Sequence, residues 1–167
     1  MAFARQVYAA AVEANTEIDP AFVTAQAMLE TGWGSKVIGQ ANLFGITKGS
    51  QWDGPIVMVK THEYLKTPNQ KFKAPDRILS VCKVKGKNLW YYTVERAFKD
   101  FSSIGECLKE HERLFQKSGY KDAWPFRKDA YQFARKICDG VGCKYATDPA
   151  YLTTITSIIK TVKSKCR

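Results

Sequence analysis

The chain has 167 residues, 45% of them hydrophobic and 13% aromatic, a composition that excludes a disordered or low-complexity protein and is long enough to bury a core. Lys and Arg number 26 against 16 Asp and Glu, a formal charge of +10, so the expected partner is an anionic polymer or surface such as nucleic acid, lipid head groups or bacterial cell wall. No run of about 18 apolar residues occurs, which excludes a membrane-spanning helix, and no stable membrane insertion is expected.

Five cysteines, Cys82, Cys107, Cys138, Cys143 and Cys166, form no Cys-x-x-Cys pair. With only His62 and His111 beside them, neither a metal site nor a cofactor is expected. Cys138 and Cys143 are spaced to close a short disulfide loop, but an odd count without a secretory leader favours free thiols. Met1 opens directly onto a helical pattern, without the charged stretch and apolar core of a signal peptide. The chain is therefore expected to be made in the cytoplasm. A positive surface that serves solubility alone is the plain alternative to a polymer partner.

Residues 2–15 place Phe3, Val7, Ala10 and Ala11 in an amphipathic pattern that ends near Asn15. Asp19-Pro20 then restarts the chain, with Asp19 able to cap free amides and Pro20 suited to the first helical position. Phe22, Ala25 and Leu29 share a face, so this second helix is expected to run to about Glu30 or Thr31 and stop at Gly32. Residues 32–54 are a glycine-rich loop carrying Trp33, Phe44 and Trp52. Ile56 to Leu65 is β-prone, and Ile78–Val84 joined through Lys85-Gly86-Lys87-Asn88 to Leu89–Val94 reads as a hairpin. These strands make a small lobe, too few for a sheet core of their own. Ser103-Ile-Gly-Glu106 matches a capping box for a helix reaching about Lys117, and Ala130–Cys138 forms another, stopped near Asp139-Gly140. Asp148-Pro149 repeats the Asp19-Pro20 device ahead of a last helix to about Val162. The expected fold is one α+β domain over residues 1–167, mainly helical, with a β-hairpin lobe at about 55–95 inserted between the second and third of about five helices.

Within this frame Glu30 stands out. It closes an apolar helix beside Leu29 and Trp33, at the negative end of the helix dipole, and both influences disfavour its ionised form, as suits a general acid. A surface glutamate at a helix end is the plain alternative. Glycosidic cleavage needs such an acid and a second group to manage the developing positive charge or the water. Glu63, in Thr61-His62-Glu63-Tyr64, is the candidate second carboxylate: a strand carrying it could face the end of the Glu30 helix across a groove, or could equally present it outward from an edge. Trp33, Phe44, Trp52 and Tyr64 are candidate platforms for sugar faces, and Asn42 a candidate partner for an acetamido or hydroxyl group, although packing is the commoner use of any one aromatic. No Ser/His/Asp pattern or phosphate-binding glycine loop occurs, and Cys–His chemistry would have to draw on one of two histidines. The basic residues are spread along the chain without a reader motif, so nucleic acid is not the expected partner.

The blocks Ala25-Gln-Ala-Met-Leu-Glu30-Thr-Gly-Trp-Gly34, Asn42-Leu-Phe-Gly-Ile46, Trp52-Asp-Gly54, Thr61-His-Glu-Tyr64, Arg96-Ala-Phe-Lys-Asp-Phe-Ser102 and Tyr145-Ala-Thr-Asp-Pro-Ala-Tyr151 occur in the order found in glycoside hydrolase family 73. The chain resembles that family from about residue 20 to 162. The resemblance implies a lysozyme-like α+β fold and hydrolysis of the β-1,4 glycan strand of peptidoglycan, typically on the reducing side of N-acetylglucosamine. It implies Glu30 as general acid, Glu63 as the second carboxylate and Tyr145 as a tyrosine near the scissile bond. The chain departs from the family at His62, where members commonly have threonine, and in a longer segment between Leu65 and Arg96. Two mechanisms are open: an inverting one with carboxyls about 6.5–9.5 Å apart, or attack by the substrate's own 2-acetamido group with Glu63 or Tyr145 steadying the intermediate. Bacterial peptidoglycan is then the expected partner of a monomeric chain, which would reach the cell wall, in the periplasm or outside the cell, after release through a pore or a secretion machine. An N-acetylmuramidase, a lytic transglycosylase and a non-catalytic glycan-binding module are the alternatives.

Overall fold

The computed structural model describes residues 1–139 and 148–166, so Cys143 and the candidate Tyr145 lie outside the described residues. The chain divides into two compact units, Met1–Gly45 with Phe101–Arg167, and Ile46–Asp100.

The first unit holds α1 (Ala2–Glu13), α2 (Pro20–Thr31), α3 (Ile104–Phe115), α4 (Ala130–Asp139) and α5 (Tyr151–Lys165). Helix α2 is its centre: it packs against α1, α4 and α5, nine of its twelve residues are buried, and its one exposed residue, Glu30, lies in its last turn. Both of its ends follow from the sequence. Asp19 Oδ1 accepts from the Ala21 amide at 2.7 Å, Pro20 sacrifices no needed donor, and Gly32 is left-handed at φ 55°. The Trp33 amide then donates to the Met28 carbonyl at 2.8 Å, closing the helix in a Schellman turn. Phe22 of α2 meets Phe133 and Phe115 edge-on at 4.9 and 6.2 Å, and these two rings meet each other at 5.2 Å.

The remaining helix starts differ in detail from the expected devices. Ser103 Oγ accepts from the Glu106 amide at 3.1 Å, but Glu106 reaches back to Ser102, accepting from its amide and hydroxyl, so the capping box closes one residue early. Helix α4 starts on Asp129, whose Oδ1 accepts from the Tyr131 and Gln132 amides. Hydrogen bonds from the Gln132 amide and side chain hold this carboxyl below the usual carboxylate range. Helix α5 begins at Tyr151, and Asp148 Oδ1 accepts instead from the Ala150 amide in the turn before it, so Pro149 is not its first residue. Its far end runs past Val162 to Lys165, where the Lys165 carbonyl accepts from Arg5 Nε at 3.2 Å.

The second unit is a three-stranded antiparallel sheet of β1 (Ile56–Leu65), β2 (Arg77–Lys83) and β3 (Trp90–Lys99), in the order β1-β3-β2. Strand β1 has the expected span. Strand β3 continues beyond Val94 because Glu95–Lys99 pair with Lys60–Ile56 of β1, a partnership that local pattern does not encode. Leu79 is a bulge in β2, where the register shifts between Ile78 and Ser80. Buried Tyr92 donates from its hydroxyl to the Thr67 carbonyl at 2.7 Å and accepts from the Gln70 amide at 3.1 Å, pinning the β1–β2 connection to the sheet.

Candidate active site

Glu30 is an exposed residue at the end of an otherwise buried helix. One turn earlier, fully buried Gln26 donates from Nε2 to the Tyr151 hydroxyl at 3.0 Å, which anchors the start of α5 at this end of α2. Burial pushes the Tyr151 phenol upward and the negative charge of Glu30 adds to the rise, so the hydroxyl stays protonated across the neutral range. Tyr151 stands in the last of the sequence blocks, yet sequence reasoning gave it no role. The available signal was the i, i+4 spacing of Gln26 and Glu30, two polar residues in line on an apolar helix.

Beyond Glu30 the backbone of Gly32, Trp33 and Gly34 is left-handed in succession, with φ 55°, 60° and 89°. For a residue as bulky as Trp33 this is strained, and local bonds hold it there. Thr31 Oγ1 accepts from the Gly34 amide at 2.8 Å, and the Thr31 carbonyl accepts from the Lys36 amide at 2.9 Å. The Trp33 side chain is left 48% exposed. Gly34 has no room for a side chain, since a Cβ would stand 2.6 Å from the Phe3 ring of α1.

Two candidate sugar contacts turn inward. Asn42 is 1% exposed and its backbone pairs with that of Ile38. Phe44 is half-buried and lies flat on His111, ring centroids 3.7 Å apart. A cleft of about 820 Å³ in the same unit, lined by Phe3, Gln6, Glu13, Gln40 and Ser103 among others, does not include Glu30.

In the β unit, Glu63 and Tyr64 are neighbours on one strand and so point to opposite faces of the sheet. The two faces differ in chemistry. Glu63 Oε1 lies 3.0 Å from Arg96 Nη1, and Arg96 Nε lies 3.2 Å from Asp76 Oδ2. On the other face Tyr64 is 62% exposed and leans on Tyr91 at 5.1 Å. Tyr91 in turn stacks on His62, 5.0 Å away and 13° from parallel, so the histidine extends an aromatic row. Trp52 is half-buried, donates from Nε1 to the Pro55 carbonyl at 2.9 Å, and has Lys99 Nζ 4.7 Å from its ring centre. Arg96 and Asp76 escaped sequence reasoning because their partners are brought close by strand pairing and not by local spacing.

The Cys–His pair of α3 is inert through burial. Cys107 and His111 lie one turn apart on α3, both buried. Burial pushes the Cys107 thiol up to about 12 and the His111 ring down to about 3, so neither thiolate nor imidazolium is available. Cys82, Cys107, Cys138 and Cys166 are free thiols. Among the described residues no group of three or more His, Cys, Asp or Glu is placed to hold a metal ion.

Residues 6–164 match the family model described as Glucosaminidase, mannosyl-glycoprotein endo-beta-N-acetylglucosaminidase. The peptidoglycan hydrolase FlgJ of Escherichia coli (strain K12) is 29% identical over 148 residues, which is 85% of this chain and 39% of the relative. A Lactococcus lactis subsp. cremoris protein named "Probable N-acetylmuramidase" is 32% identical over 143 residues, 84% of this chain and 28% of that one. The chain thus spans well under half the length of these relatives. The solved, C-terminally truncated glycoside hydrolase domain of Salmonella typhimurium FlgJ shares the α+β fold, with a TM-score of 0.70 at 24% identity over 98% of this chain and 97% of that one. Matched by the family model along nearly its whole length, the chain belongs to the glucosaminidase family of glycoside hydrolases.

Proposed function

We propose that the chain hydrolyses β-1,4 bonds in the glycan strand of bacterial peptidoglycan as an endo-N-acetylglucosaminidase, with Glu30 as general acid, Glu63 as the second carboxylate and Tyr145 near the scissile bond. The observation that carries this reading is the position of Glu30, an exposed carboxyl at the end of a buried helix, followed at once by an exposed tryptophan in a strained turn. Membership of the family supports the reaction class, and the relatives named as peptidoglycan hydrolases support the substrate.

In this reading Glu30 gives its proton to the glycosidic oxygen as the carbon–oxygen bond breaks and positive charge grows on the sugar ring. Glu63 then either takes a proton from the attacking water or steadies the ring formed by the 2-acetamido group. Trp33, Trp52 and Tyr64 are the proposed contacts for sugar faces, and a +10 chain is drawn to an anionic wall. Among the described residues no helix is long and apolar enough to cross a membrane, and the proposed site of action is the cell wall.

Digestion of purified peptidoglycan tests the reading. Glu30→Gln is expected to lower turnover by about 100-fold or more, and full lysis by this variant would sink it. Mass spectrometry of the reduced products then separates the bonds. Reducing-end N-acetylglucosamine supports the proposal, N-acetylmuramic acid ends favour the activity for which the Lactococcus relative is named, and 1,6-anhydro ends favour a transglycosylase. Binding without turnover by the parent protein would make the chain a glycan-binding module.

A further inference from the structure

We propose that Arg96 and Asp76 are positioning residues for Glu63, a proposal that rests on the reading of Glu63 as the second carboxylate. The contacts start at the backbone. The Ala97 amide of β3 donates to Asp76 Oδ1 at 2.7 Å, which fixes that carboxylate against the central strand. Asp76 Oδ2 accepts from Arg96 Nε at 3.2 Å, and Arg96 Nη1 donates to Glu63 Oε1 at 3.0 Å. The two acids therefore grip different nitrogens of one planar group, and once Asp76 has set the plane of the guanidinium, the direction in which Glu63 is held follows. The Phe72 ring, 6.0 Å from Arg96 Cζ, borders the guanidinium.

Charge and exposure both favour a positioning role over a merely stabilising one. Two carboxylates share one guanidinium, so the cluster keeps a net negative charge that can face a developing cation or take a proton from water. Among the described residues the arginine engages only Oε1 of Glu63, which leaves Oε2 for the chemistry. The Arg96 and Glu63 side chains are 30% and 35% exposed, a setting in which an ion pair adds little to stability, whereas an angstrom of misplacement in a catalytic group costs turnover heavily.

The test is steady-state kinetics on soluble glycan strands released from peptidoglycan, with melting temperatures, for the parent protein and for Glu63→Gln, Arg96→Gln, Arg96→Lys and Asp76→Asn. Arg96→Gln and Asp76→Asn are expected to lower kcat by about 10- to 100-fold with KM changed less than about twofold and little change in melting temperature. Arg96→Lys should recover part of the kcat, because an ammonium keeps the charge but cannot fork to both acids. Parental kcat in both Arg96→Gln and Asp76→Asn, with Glu63→Gln inactive, would overturn the proposal and leave the role of Glu63 standing. Parental kcat in Glu63→Gln would sink the role of Glu63 and the proposal with it. Should Arg96→Gln fail to fold, parental kcat in both Asp76→Asn and Arg96→Lys is the overturning result.

Discussion

His111 is an uncharged ring held inside the helical unit, flat against Phe44 and edge-on to Phe115, with neither nitrogen hydrogen-bonded among the described residues. Burial lowers its proton affinity from 6.5 to about 3. Above 6.5 folded and unfolded chains are both neutral here, so the contribution to stability is whole. Between 6.5 and about 3 only the unfolded chain takes up the proton, and this residue alone removes about 1.4 kcal/mol per pH unit. Urea midpoints at about pH 7.5, 5.5 and 4.5 measure the effect. A His111→Leu variant is expected to lose less stability on acidification than the parent, and equal slopes would show that the ring is not the cause. Glu30 could be singled out from sequence at this scale because its anomaly is local, a carboxyl among apolar neighbours. Arg96 and Asp76 could not, because each acquires its neighbours through contacts 20 to 33 positions away along the chain.

At the scale of elements, the turn that follows α2 depends on two different uses of glycine. Gly32 supplies the left-handed cap, whereas Gly34 supplies empty space for the Phe3 ring as well as its own positive φ. Gly34→Ala is therefore expected to cost about 1–3 kcal/mol, read from denaturant midpoints, and to lower turnover only as far as the Glu30 turn is displaced. Circular dichroism with an activity assay on the same sample separates the two effects. Elements were legible where their ends are marked by chemistry, as at Asp19-Pro20, Gly32 and Pro55. They were misjudged where a distant partner decides, as in the second half of β3, or where a turn intervenes before the helix, as between Asp148 and Tyr151.

For the whole molecule the dominant quantity is the +10 charge. If attraction to an anionic wall raises local substrate, lysis of intact walls should fall several-fold between about 0.1 M and about 1 M salt, as the screening length shrinks from about 10 to about 3 Å. Cleavage of short uncharged oligosaccharides should stay nearly constant over the same range, and a parallel fall in both would assign the salt effect to the fold instead. Within the β unit the alternation along β1 is a constraint on descent. Gain or loss of one residue between Pro55 and Glu63 would trade faces, setting a ring against Arg96 and sending the acid to the opposite side of the sheet. A change of two residues would restore the face but carry Glu63 about 7 Å along the strand, away from Arg96.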